Sequence, residues 1–152
     1  MRHQGLSNGS HDGQMSGMLS GTPMAQTLSY LLVANRSIQD SSTSKFTFVD
    51  IFDNLTILEG LNEVIHSFSI GGRFLDCPGG PVSIAVQLIG PDGKEYGTPT
   101  IVSGAVEPGD VHFAANFPYF TFSRPGRYTC KVTYNVTEFY EPDRFCINVT
   151  KA

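Results

Sequence analysis

The chain has 152 residues and a net charge of −4, with 16% of its residues charged. A chain of that length forms one domain that buries roughly two-thirds of the surface exposed when unfolded, so no second domain is needed. With neither a basic field nor an acidic run, the composition disfavours nucleic acid and membrane surfaces as partners.

Residues 1–23 mix Gly, Ser, His, Gln and Asn with three methionines and follow neither a helical nor a strand period. They read as a disordered tail, or as a leader ahead of a natural start at Met24-Ala25-Gln26-Thr27, which leaves residues 24–152 as a single β-sandwich domain. Residues 28–34 are apolar, but this stretch of seven has no cationic segment close before it and is far too short to span a membrane. A first strand over 27–35 is expected, with no export, no membrane anchor and a cytoplasmic location.

From there the pattern is β throughout. Residues 41–44 form a polar loop, and residues 45–57, interrupted at Asp53-Asn54, read as one bent strand or two short ones. Residues 59–62 are a turn. Val64, His66, Phe68 and Ile70 then share one strand face, and Gly71-Gly72 ends or kinks that strand. Two prolines and two glycines make residues 77–81 a loop. Val82, Ile84, Val86 and Leu88 alternate cleanly, the Gly90-Pro91-Asp92-Gly93-Lys94 run signals a hairpin, and residues 96–102 return. Residues 104–110 are a further loop.

Val111, Phe113, Ala115 and Phe117 point one way, yet beyond Pro118 the apolar positions are Phe120 and Phe122, so the parity slips by one. A bulge at Pro118-Tyr119 restores a single apolar face. After a tight turn at Arg124-Pro125-Gly126-Arg127, Tyr128, Cys130, Val132 and Tyr134 alternate with polar residues in a half-buried strand. Residues 137–143 read as a hairpin loop with an aromatic tip, and residues 144–150 as a last strand with Phe145, Ile147 and Val149 inward. Seven to nine short strands without a helix predict an all-β fold. The expected form is an antiparallel two-sheet sandwich, immunoglobulin-like or jelly-roll-like, with a closed barrel as the alternative. Parallel βαβ units would need crossover helices that no segment supplies.

Residues that carry chemistry are sparse. Cys77 and Cys130 are separated by nearly the interval of an immunoglobulin inter-sheet disulfide, but Cys77 starts a Pro-Gly loop and no tryptophan is present to pack on such a bridge. Cys130 faces inward and Cys146 outward, so a bridge between them requires a register slip. Three reduced thiols in a cytosolic protein are expected. His3, His11, His66 and His112 have no metal spacing, and no serine elbow or phosphate loop occurs. Asp50, Asp53, Asp76, Asp92, Asp110, Glu141 and Asp143 fall at loops, where turns attract Asp without any calcium. Asn35, Asn54, Asn135 and Asn148 stand in glycosylation triplets, which matter only for a secreted chain. No catalytic residue, cofactor or metal is expected.

The candidate contact surface is aromatic: Phe139 and Tyr140 at the predicted hairpin tip, Pro118 and Tyr119 at the bulge. The competing reading folds these rings back into a minicore.

With Asp50-Ile51-Phe52, Pro91-Asp92-Gly93 and Phe122 followed by Pro125-Gly126-Arg127-Tyr128 in this order, residues 27–150 resemble a family of uncharacterised small bacterial β-sandwich proteins. The resemblance implies the fold and carries no activity or site residue. Gly126-x-Tyr128-x-Cys130 is also similar to the pattern before the second cysteine of immunoglobulin domains. The expected function is a non-enzymatic binding or structural module, acting through contacts with another protein or through self-association by an edge strand. The alternative is an extracellular immunoglobulin-like or carbohydrate-binding domain.

Overall fold

The computed structural model describes residues 26–57, 64–143 and 145–151. The expectations for residues 1–23, for the turn at 59–62 and for the side chain of His66 lie outside what is described. Ten strands form among the described residues: β1 (Thr27–Gln39), β2 (Phe46–Ile51), β3 (Asn54–Ile57), β4 (Val64–Cys77), β5 (Gly80–Ile89), β6 (Glu95–Val106), β7 (Gly109–Phe122), β8 (Gly126–Tyr134), β9 (Thr137–Tyr140) and β10 (Ile147–Lys151). They build two open sheets, one ordered β2-β1-β4-β7 and the other β3-β10-β8-β5-β6, with β9 also on β8. The all-β two-sheet expectation therefore holds, with more strands than foreseen. Its antiparallel character needs one correction, because β3 runs parallel to β10, pairing Asn54 with Asn148 and Ile57 with Lys151. Residues 45–57 are two strands, and the break at Asp53 carries the chain from one sheet to the other.

The alternating apolar residues meet between the sheets. Phe68 stacks on Phe117 at 4.9 Å, Phe74 meets Tyr134 edge-on at 4.9 Å, and Phe122 meets Tyr128 edge-on at 5.0 Å. All six rings are buried, and such edge-to-face and offset contacts add about 0.5–1.5 kcal/mol per pair beyond the burial itself. The Tyr128 hydroxyl donates to the Arg124 carbonyl at 2.8 Å, which pins the turn into β8. Its burial pushes the phenol well above its ordinary value. β7 and β8 lie in opposite sheets, so the Pro125-Gly126 turn is a crossing between layers. Gly126 has φ +139°, and a Cβ there would stand 2.5 Å from Pro91.

Several breaks inferred from glycine and proline are shorter than expected. Only Pro78 and Gly79 separate β4 from β5, and only Glu107 and Pro108 separate β6 from β7, so the loops foreseen at 77–81 and 104–110 shrink to turns. Gly71 and Gly72 do not end β4, which continues to Cys77. Their missing side chains make room instead: a Cβ on Gly71 would stand 2.1 Å from the Phe48 ring, and one on Gly72 would stand 2.6 Å from Phe113. The β1–β2 hairpin thus presses Phe48 onto the back of β4. Nearby, the hydroxyls of Ser37 and Ser69 both donate to Asn116 Oδ1, at 3.1 and 2.6 Å.

The expected hairpin loop at 137–143 is also corrected. Asn135 adopts φ +53°, a conformation asparagine tolerates. It donates its N–H to the Ser83 carbonyl at 2.8 Å and accepts the Ser83 N–H on its side chain at 2.9 Å. The turn therefore closes after two residues, and 137–140 become β9, paired with β8 from Tyr134↔Thr137 to Lys131↔Tyr140. β10 pairs with the other end of β8 at Tyr128↔Ile147. Phe145, Ile147 and Val149 are buried as expected.

Candidate functional site

The bulge inferred from the parity slip is present. His66 pairs with Phe120 and Phe68 with Phe117, so Pro118 and Tyr119 together stand opposite Ser67, one extra residue on β7. A second bulge faces it on β6: Val86 pairs with Thr100 and Leu88 with Tyr96, leaving Gln87 opposite the Gly97-Thr98-Pro99 stretch. The buried Gln87 amide donates to the carbonyls of Tyr96 and Gly97, each at 3.2 Å, and to that of Leu88 at 3.0 Å. It replaces ladder bonds that the bulge removes. Gly97 has φ +75°, and a Cβ there would lie 2.8 Å from Phe120.

β6 and β7 are edge strands of opposite sheets, and their two bulges open a groove of about 540 Å³ along the seam between the layers. Phe117 and Phe120 form its floor, Thr98, Pro99 and Thr121 its walls, and Tyr119, 86% exposed, its rim. Hydrogen bonds between the sheets close both ends. At one, the Ser123 N–H donates to the Tyr96 hydroxyl at 3.0 Å, with the Ser123 side chain on the same oxygen. At the other, Thr100 Oγ1 donates to the Asn116 carbonyl at 3.4 Å. Tyr96 is held further by its edge-on contact with Tyr128 at 5.2 Å. Among the described residues no carboxylate, imidazole, amine or thiol lines the groove. The arrangement offers flat apolar rings, hydroxyls and backbone groups released from the ladders.

The four sequence-predicted contact residues separate into two places. Pro118 and Tyr119 line the groove. Phe139 and Tyr140 lie on β9, on the side of β8 away from β5 and β6. Phe139 turns inward and meets Phe74 of the opposite sheet at 5.0 Å, as the minicore reading expects. Tyr140 stays half exposed, and its hydroxyl accepts from Thr129 Oγ1 at 3.4 Å. The bulged stretch of β6 was missed, although Gly97 and Pro99 within an otherwise regular strand were its signal.

The remaining candidates are scattered. Asp110 pairs with Arg73, whose guanidinium holds its carboxyl below the ordinary range, and Asp92 accepts the Lys94 N–H at 3.1 Å inside the β5–β6 turn. Asp40 binds Ser42 and Thr43, and those hydrogen bonds lower its pKa. Among the described residues no three His, Cys, Asp or Glu side chains converge to hold a metal ion, and no helix is long and apolar enough to cross a membrane. Cys77, Cys130 and Cys146 are free thiols. Burial pushes Cys130 up to about 12 and raises Cys77, which lies against the Tyr134 hydroxyl. Compared with known protein families and with curated proteins, the chain matches none.

Proposed function

We propose that this protein is a non-enzymatic contact module that holds a segment of a partner protein in the seam groove between β6 and β7. The observation that carries the reading is the setting of Tyr119. A large ring left 86% exposed stands over a floor of buried aromatics, in a groove whose ends are tied by hydrogen bonds between the sheets. A tyrosine side chain has two χ angles and so costs little to order when a partner covers it, which is why tyrosines anchor contact surfaces. The three free thiols support a reducing, cytoplasmic setting. The resemblance to small bacterial β-sandwich proteins agrees with a compact module of this kind.

Selection of a displayed random-peptide library on the folded protein tests the proposal. Enriched peptides are expected to lose binding to the Tyr119→Ala variant, whose exposed site leaves folding intact. Enrichment that ignores Tyr119, or no enrichment, would count against the groove.

A second reading, an extracellular immunoglobulin-like or carbohydrate-binding domain, is favoured by the connectivity. The β4–β7 neighbours and the β5-β8-β10 order follow the B–E and C–F–G arrangement of immunoglobulin sandwiches, and the Tyr128-to-Arg124 bond matches their tyrosine corner. Saturable binding of a neutral oligosaccharide, with no peptide selected, would decide for it.

A further inference from the structure

We infer that the segment taken up by the groove is uncharged, proline-bearing and in the polyproline II conformation; this rests on the groove being the contact site. Strand addition is the obvious way for a sheet edge to bind a peptide, and it needs a continuous row of backbone donors and acceptors. Pro99 on one wall and Pro118 on the other have no N–H, and each lies in a bulge that breaks the row around it. Neither wall can accept a strand through the middle of the groove.

Charge complementarity narrows the ligand further. On a chain of net charge −4 the described residues of the groove lining include no ionised side chain. A charged ligand group would lose its hydration there and meet no counter-charge. Polyproline II fits the remaining chemistry. Its backbone makes no internal hydrogen bonds, so its carbonyls are open to donors, and three hydroxyl-bearing residues, Thr98, Thr121 and Tyr119, are among those that line the groove. Its flat pyrrolidine rings match aromatic surfaces such as Phe120 and the exposed face of Tyr119, and its preformed shape lowers the ordering cost. The wall from Tyr96 to Thr100 spans at most roughly 13 Å at the usual strand rise, the length of about four polyproline II residues.

The test is an amide-shift titration of isotope-labelled protein with three probes. These are a capped, uncharged proline-rich decapeptide, a glycine-serine decapeptide and a neutral oligosaccharide. Saturable shifts confined to the amides of Thr98, Thr100, Tyr119, Phe120 and Thr121 are expected with the proline-rich probe, with binding at least five-fold weaker in Tyr119→Ala. The other two probes are expected to give less than a tenth of that affinity. Equal binding of the glycine-serine peptide, preference for the oligosaccharide, or no groove shift with the proline-rich probe overturns the inference. Tyr119-dependent library clones without proline would also overturn it and leave the contact function standing, whereas a library without Tyr119-dependent clones removes both.

Discussion

Tyr128 shows how a single side chain joins two jobs. Its ring is wholly buried against Phe122 and Tyr96, while its hydroxyl satisfies the Arg124 carbonyl at the start of β8. Tyr128→Phe keeps the ring and removes the bond, so urea denaturation should show a loss of about 1 kcal/mol with an unchanged m-value. The thiols differ in the same residue-level way. Cys77 and Cys130 are buried and raised in pKa, whereas Cys146 is partly exposed. Because the thiolate is the reactive form, a chromogenic disulfide reagent at neutral pH should titrate one thiol quickly in native protein. The other two should react only on unfolding, and a total below three in denatured, unreduced protein would reveal a disulfide.

At the scale of elements, two edge strands owe their shape to residues that break regular pairing. Gln87 supports the bulge in β6 by donating to the Tyr96 and Gly97 carbonyls. Gln87→Leu leaves those acceptors with nothing to replace the amide, and a loss of about 2 kcal/mol is expected in chemical denaturation. It should also shift the amide resonances lining the groove. β2 is held by a close approach: the Phe48 ring occupies the space a Cβ on Gly71 would need. Gly71→Ala is expected to cost about 1–3 kcal/mol by overpacking. Combined with Phe48→Ala the penalty should shrink, since the clash is gone, and a double-mutant cycle measures that coupling.

For the whole molecule, stability should fall at both ends of the pH scale. Asp40 and Asp110 have folded pKa values below the ordinary one, held by the Ser42 hydrogen bonds and by Arg73. Each adds stability above the unfolded value near 3.9 and loses it as pH falls through the lower folded value, so the urea midpoint should drop modestly below about pH 4. Cys130 and Tyr134 are shifted the other way, to about 12 from 9.0 and 10.0, because burial disfavours their charged forms. Stability from this source is complete below about pH 9 and declines as pH rises toward 12. A midpoint that stays flat from pH 8 to 11 would contradict the burial of these groups. The period-two alternation of Val82–Leu88 and Tyr128–Tyr134, the Pro91-Asp92-Gly93 turn and the slip at Pro118 were all legible in the chain. Side-chain parity and turn chemistry are local properties, so the sequence by itself determined an all-β molecule, its inward faces and the bulge in β7. Gly71 and Gly72 were read as an end or a kink of β4, and they do not end it, because their roles depend on a neighbour: Phe48 over Gly71 and Phe113 beside Gly72. Only the tertiary structure decided that β3 runs parallel to β10, that Phe139 turns into the core, and that the bulges of β6 and β7 face each other. Sheet order and the seam between layers arise from contacts between segments far apart in the chain. The periodicity of each strand carries no record of which strand it will meet.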